Sequence, residues 1–244
     1  MYGGKEEMDY KIIGIIGAMD EEVSKIKECL SDVTISTIAS MDFYEGKLYD
    51  IDVVVVRSGI GKVNAGICAQ ILVDRYNVSA IINTGIAGSL NPDINIGDIV
   101  LSTDTMQHDM DATAFGYELG IIPRMEISAF KADDKLISVA KSACEEVLDN
   151  VKVFTGRVVS GDQFISDKDK KNWITDNFKG YCTEMEGAAI AQAAYLNNVP
   201  FLIIRAISDK ADDSAEMDYP TFEAMAINNS VKMLKKMMDK IHQQ

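Results

Sequence analysis

Six short apolar runs recur along this 244-residue chain, at 12–16, 53–56, 80–82, 99–101, 153–159 and 201–204. All but 153–159, which Thr155, Gly156 and Arg157 interrupt, are apolar throughout, as in a strand buried on both faces, and all are short enough to be strands. Helical patterns at 22–30, 63–76, 134–148, 188–196 and 222–241 lie between or after them. Buried strands alternating with helices require helices on both sides of a mostly parallel sheet. The stretch 34–49 is denser in short strands and reads as hairpins. The expectation is an α/β chain: a single-domain three-layer α/β/α sandwich around a central mixed β-sheet. It covers 11–244, with 1–10 as a polar extension that has no apolar segment of the signal-peptide kind.

The clearest pointer to chemistry is Phe201-Leu202-Ile203-Ile204-Arg205-Ala206-Ile207-Ser208-Asp209. The apolar run ends in Arg205, and Asp209 follows four residues later. In open α/β sheets, ligands bind beyond the carboxyl ends of the strands. Two more acidic groups stand in comparable places, Asp20-Glu21-Glu22 after the first strand and Glu184-Met185-Glu186 before a small-residue helical run. Three such carboxylate sites suggest proton transfer on a polar, uncharged substrate.

Composition narrows the partners. The formal charge is −14, with no basic stripe. That argues against nucleic acid or an anionic membrane, both of which need clustered Lys and Arg. No run approaches the length of a membrane span. Cys29, Cys68, Cys144 and Cys182 are widely spaced and form no CxxC, which reads as reduced thiols of a cytoplasmic protein. Ser58-Gly59-Ile60-Gly61-Lys62 lacks the spacing of a phosphate loop and reads as a tight strand-to-helix turn. His108-Asp109-Met110-Asp111 has no second ligand cluster, so no metal site is expected.

Seven motifs then fall in order from about Lys11 to the C-terminus. They are Gly14-Ile15-Ile16-Gly17-Ala18-Met19-Asp20-Glu21-Glu22-Val23, Ser58-Gly59-Ile60-Gly61-Lys62-Val63-Asn64-Ala65 and Ile82-Asn83-Thr84-Gly85. Thr113-Ala114-Phe115-Gly116-Tyr117-Glu118, Val159-Ser160-Gly161-Asp162, Glu184-Met185-Glu186 and Arg205-Ala206-Ile207-Ser208-Asp209 complete the set. The ordered set resembles the purine nucleoside phosphorylase superfamily, and within it the bacterial 5′-methylthioadenosine/S-adenosylhomocysteine nucleosidases. The resemblance implies a nucleoside phosphorylase-like fold and hydrolysis of the N-glycosidic bond of those two nucleosides. It also implies no cofactor, no metal, and a homodimer with shared active sites.

Residue by residue, the resemblance makes Asp209 the general acid toward purine N7, Glu22 the base that activates water, and Arg205 a group that helps orient that water and Glu22. Read without it, Asp209 is equally well a helix cap, and Glu22 a first-turn acid facing the helix dipole. Glu186 matches the carboxylate that grips the ribose hydroxyls, with Met185, Met19 and Ile60 along the sugar. Phe164 matches the aromatic that stacks on adenine and Ile165 the backbone that reads its edge, with Ala87, Gly88 and Ser208 close by. Tyr219 stands where phenylalanine is usual, near the slot for the 5′-alkylthio tail. Ala112, Phe115, Tyr117 and Pro123 would wall that slot in the partner's site. Ile86 departs from the pattern, because many of these nucleosidases carry serine there.

Overall fold

The apolar runs become strands, and most extend further than their hydrophobic cores suggest. In the computed structural model, which describes residues 10–212 and 214–243, the strands are β1 (Ile12–Gly17), β2 (Ser31–Ile38), β3 (Met41–Leu48), β4 (Ile51–Arg57) and β5 (Ala80–Ser89). They continue with β6 (Ile99–Gln107), β7 (Phe130–Lys131), β8 (Val153–Ser160), β9 (Cys182–Glu184) and β10 (Phe201–Asp209). The helices are α1 (Asp20–Lys27), α2 (Lys62–Tyr76), α3 (Asp134–Val147), α4 (Lys168–Phe178), α5 (Gly187–Leu196) and α6 (Ala215–His242). Residues 1–9 of the expected extension lie outside the described residues.

All the strands join one mixed sheet, ordered β10-β6-β8-β9-β5-β1-β4-β3-β2, with β7 on β6. β2 and β3 form the hairpin expected near 34–49. Because β10 also pairs β5, the strands β5, β9, β8, β6 and β10 close into a ring. Register shifts in β6 and β10 mark the irregularities that let these strands bend. Two helical groups cover the sheet, α1 with α6 and α3, and α2 with α5.

Continuous apolarity is explained by that double cover. Ile13, Ile15 and Ile16 of β1 are all fully buried, although neighbouring residues face opposite sides of the sheet. Burying each such side chain stabilises the fold by roughly 1.5–3 kcal/mol. The sequence reading missed α4, because only Ile174 and Phe178 of its eleven residues are buried. It also missed β7, and β9, whose three residues Cys-Thr-Glu give no apolar run. The start of α6 was hidden by Pro220, which lies within the helix.

Candidate active site

β10 and β5 run parallel with their carboxyl ends side by side, setting Arg205 opposite Gly85 and Asp209 opposite Gly88. Ser208 is the extra residue at the register shift, and such a bulge re-aims the side chain that follows. Asp209 is therefore the last residue of the strand and not a helix cap; α6 begins only after Ser214. Its Oδ2 accepts from the Ser208 hydroxyl at 2.8 Å and its Oδ1 from the Ala211 N–H at 2.8 Å. Burial raises the carboxyl pKa, and those two hydrogen bonds offset the rise only in part. Gly88 has to be glycine, since a Cβ there would stand 2.7 Å from Asp209 Oδ1.

Glu22 comes from the first turn of α1, directly after β1. It is buried, unlike its exposed neighbours Asp20 and Glu21. Its Oε2 accepts the N–H groups of Ala18 (2.6 Å) and Met19 (3.0 Å), so it does close the helix start as a first-turn acid would. Its Oε1 accepts the Ile86 N–H at 3.2 Å across the sheet. Burial drives its pKa up, against the pull of Arg205 and the three N–H groups. A carboxylate with heightened proton affinity, positioned by three backbone donors and opening onto the cavity, is equipped to take a proton from water.

The two glutamates after β9 differ in state. Burial opposes ionisation of Glu184, but the Arg205 charge and the Ser160 hydroxyl outweigh it and hold its pKa low. For Glu186, burial and the neighbouring Glu184 charge act together and push the pKa up to about 7. Glu186 Oε1 accepts the Gly61 N–H at 2.9 Å. The Ser58–Lys62 turn is thus the tight turn expected, with Gly59 and Gly61 at φ of 83° and 97°. The amide donors at its end are engaged by protein carboxylates, Gly61 by Glu186 and Lys62 by Asp162.

Arg205 requires a correction. It stands in the middle of β10, not at its end, and is 1% exposed. It bonds to Glu184 and Asn83 and does not line the cavity. Gly85 makes room for it, because a Cβ there would meet Arg205 Nη1 at 2.9 Å and Glu22 Oε1 at 2.6 Å.

These groups surround a cavity of about 420 Å³. Asp209, Glu22 and Glu186 open onto it together with Met185, Ser208, Gly88 and Ala87. Met19, Ile60, Ile86, Phe164, Ile165 and Tyr219 supply the apolar wall. Phe164 meets the Tyr219 ring edge-on, with centroids 5.8 Å apart. Ala18, Gln163, Thr183 and Glu184 also line the cavity and were not singled out. Ala18, Gln163 and Glu184 adjoin residues that were, namely Met19, Phe164 and Met185. Ala112, Phe115, Tyr117 and Pro123 lie elsewhere, on the segment after β6, and none reaches this chain's cavity. Among the described residues, no helix is long and apolar enough to cross a membrane.

Relatives carry the same architecture. Residues 12–239 match the model of the Phosphorylase superfamily. A 5′-methylthioadenosine/S-adenosylhomocysteine nucleosidase of an Exiguobacterium species is 43% identical over 232 residues, 95% of this chain and 99% of that one. The crystal structure of the nucleosidase of that name from Neisseria meningitidis, in complex with methylthio-immucillin-A, superposes with a TM-score of 0.90. It is 36% identical, covering 94% of this chain and 99% of the other. The futalosine hydrolase of Helicobacter pylori is also similar, with a TM-score of 0.89 and 32% identity over 95% of this chain and 98% of its own. With the fold, the full-length match and the motif order in agreement, this chain belongs to the Phosphorylase superfamily, among its 5′-methylthioadenosine/S-adenosylhomocysteine nucleosidases.

Proposed function

We infer that this protein hydrolyses the N-glycosidic bond of 5′-methylthioadenosine and S-adenosylhomocysteine, releasing adenine and the corresponding thioribose sugar. The observation that carries the reading is a pair of buried carboxyl groups with raised proton affinity, Asp209 and Glu22, opening onto one cavity. Bond cleavage leaves positive charge on the ribose and negative charge on the departing base. Asp209 protonates N7 of the purine as it leaves, and Glu22 takes a proton from the water that attacks C1′. This divides the work as two carboxyl groups do in glycoside hydrolysis.

Glu186 grips the ribose hydroxyls, Met185, Met19 and Ile60 follow the sugar, and Phe164 stacks on the base. Ile165 reads the adenine edge beside Ala87, Gly88 and Ser208, while Ile86 and Tyr219 border the water and the tail. Arg205 acts at one remove, by its charge on Glu22 and its hold on Glu184. Neither a metal nor a cofactor is needed for these steps.

Ala112, Phe115, Tyr117 and Pro123 wall the alkylthio slot of a second copy in a homodimer. Phe115, 85% exposed on its own chain, supports this. Sedimentation showing a fully active monomer would defeat it. On this reading the enzyme works in the cytoplasm, with its four cysteines as free thiols.

Product analysis from methylthioadenosine, with and without phosphate, is the deciding experiment. Hydrolysis predicts adenine and free methylthioribose in both conditions. Cleavage only with phosphate, yielding a sugar phosphate, overturns it. The likeness to a futalosine hydrolase carries a second substrate reading, which comparative turnover of 6-amino-6-deoxyfutalosine decides.

A further inference from the structure

His108-Asp109, where no metal site is expected from the sequence, sits at a structural junction in the fold. Asp109 Oδ1 accepts from Lys62 Nζ at 2.6 Å, and its Oδ2 accepts the Asp162 N–H at 3.0 Å. Asp162 Oδ1 in turn accepts the Lys62 N–H at 2.8 Å. The three contacts close a cycle that joins the turn before α2, the end of β6 and the segment after β8. His108 packs so tightly on Gly161 that the glycine has no room for a side chain.

We propose that Asp109 is a positioning residue: by tying Lys62 to Asp162, it holds the base-facing segment 161–165 against the sugar-facing turn 59–62 and so sets the width of the cavity. This rests on the nucleosidase reading for which wall faces the base and which the sugar. Core packing does not hold the cavity-facing tips of the two walls: Ile60 is 54% exposed and Phe164 50% exposed, although Ile165 beside Phe164 is buried. Gly59 and Gly61 leave the turn with little stiffness of its own. The same turn presents the Gly61 N–H to Glu186, so its placement reaches the sugar end as well.

The brace is stronger than an ordinary surface pair. The Lys62 and Asp109 side chains are only 17% and 20% exposed, which limits screening by salt. Burial alone would raise the Asp109 pKa, but Lys62 and the Asp162 N–H prevail and hold it below the usual range. The carboxylate stays ionised at neutral pH, with one oxygen for each donor.

Asp109→Asn tests this while keeping the side chain's shape. Its amide can accept from one of the two donors and turns an NH₂ toward the other. The expected result is a rise of about tenfold in adenine Kd and in KM for methylthioadenosine, with kcat changed less than about threefold, the signature of lost uniform binding. Hydrogen exchange at the amides of 162–165 should accelerate. The control is Asp104→Asn, which breaks a similarly half-shielded Arg157 ion pair between β6 and β8, away from this cycle. It should lower the melting temperature and leave KM and the 162–165 exchange as in the wild type. Unchanged adenine Kd and exchange in Asp109→Asn, or equal changes in the control, overturn the proposal. If the wild type itself binds no adenine, the nucleosidase reading fails, and the exchange comparison still decides whether Asp109 braces the segment.

Discussion

The Arg205 guanidinium hydrogen-bonds to Glu184, while Glu186 stands 4.0 Å away in a longer ion-pair contact. One buried cation is thus committed to one of two neighbouring carboxylates. Glu184 also accepts the N–H groups of Glu186 (3.0 Å) and Gly187 (2.7 Å), which fixes the start of α5. Glu186 is left to face the cavity beside a negative charge, and its raised pKa follows. Structural and substrate-facing duties are divided within three residues.

Arg205→Met is expected to destabilise the protein by about 3–5 kcal/mol, because Glu184 would remain buried without its cation. Urea unfolding measures it. Adding Glu184→Gln to that variant should recover part of the loss. A single variant as stable as the wild type would show that the pair carries no such burden.

Asp209→Asn is expected to reduce adenine release by about 10²–10⁴-fold, the usual contribution of proton donation. Asparagine keeps the shape but has no acidic proton to give, so adenine binding should persist. Burial raises the Asp209 pKa, so wild-type activity should decline on the alkaline side as the acid ionises. Single-turnover cleavage at a near wild-type rate would place the acid elsewhere.

Glu186→Gln should gain stability relative to the wild type as pH rises. The folded pKa of about 7 lies above the ordinary 4.5. The stabilising contribution of this group is therefore complete below about pH 4.5 and is lost as pH climbs through 7. At 1.36 kcal/mol per unit, the pH-dependent difference between variant and wild type approaches about 3 kcal/mol by pH 8. Denaturant titrations of the ligand-free protein at pH 4 and pH 8 measure it. A difference independent of pH would mean Glu186 titrates normally.

Ile86→Ser should retain or improve hydrolysis. The Ile86 N–H already bonds to Glu22, and its side chain lines the cavity, so a serine hydroxyl would sit beside the attacking water. The opposing effect is a polar group buried without a partner, which costs about 1–3 kcal/mol. A lower melting temperature with no gain in kcat would show that the site has adapted to an apolar residue.

The sequence by itself determined the alternation of buried strands and helices, the hairpin near 34–49 and the family. Those signals are local: a run buried on both faces must be continuously apolar, and a motif keeps its order whatever the chain does around it. Thirteen of the expected site residues line one cavity, most of them at or just beyond the carboxyl end of a strand and Tyr219 on α6. Only the tertiary structure decided the state of the charged groups. Asp20, Glu21 and Glu22 are adjacent acids in the sequence, yet only Glu22 turns inward, where Ile86 of another strand meets it. Arg205 read as an end-of-strand group because its own charge broke the apolar run; the strand continues through Ala206 and Ile207 to Asp209 because β5 pairs with it on both sides of the bulge at Ser208. The Glu184–Arg205 pairing and the Asp109 cycle join residues 20 or more positions apart, and the raised pKa of Glu186 comes from burial beside the Glu184 charge. Burial and long-range pairing set proton affinities, and neither is written in any single stretch of chain.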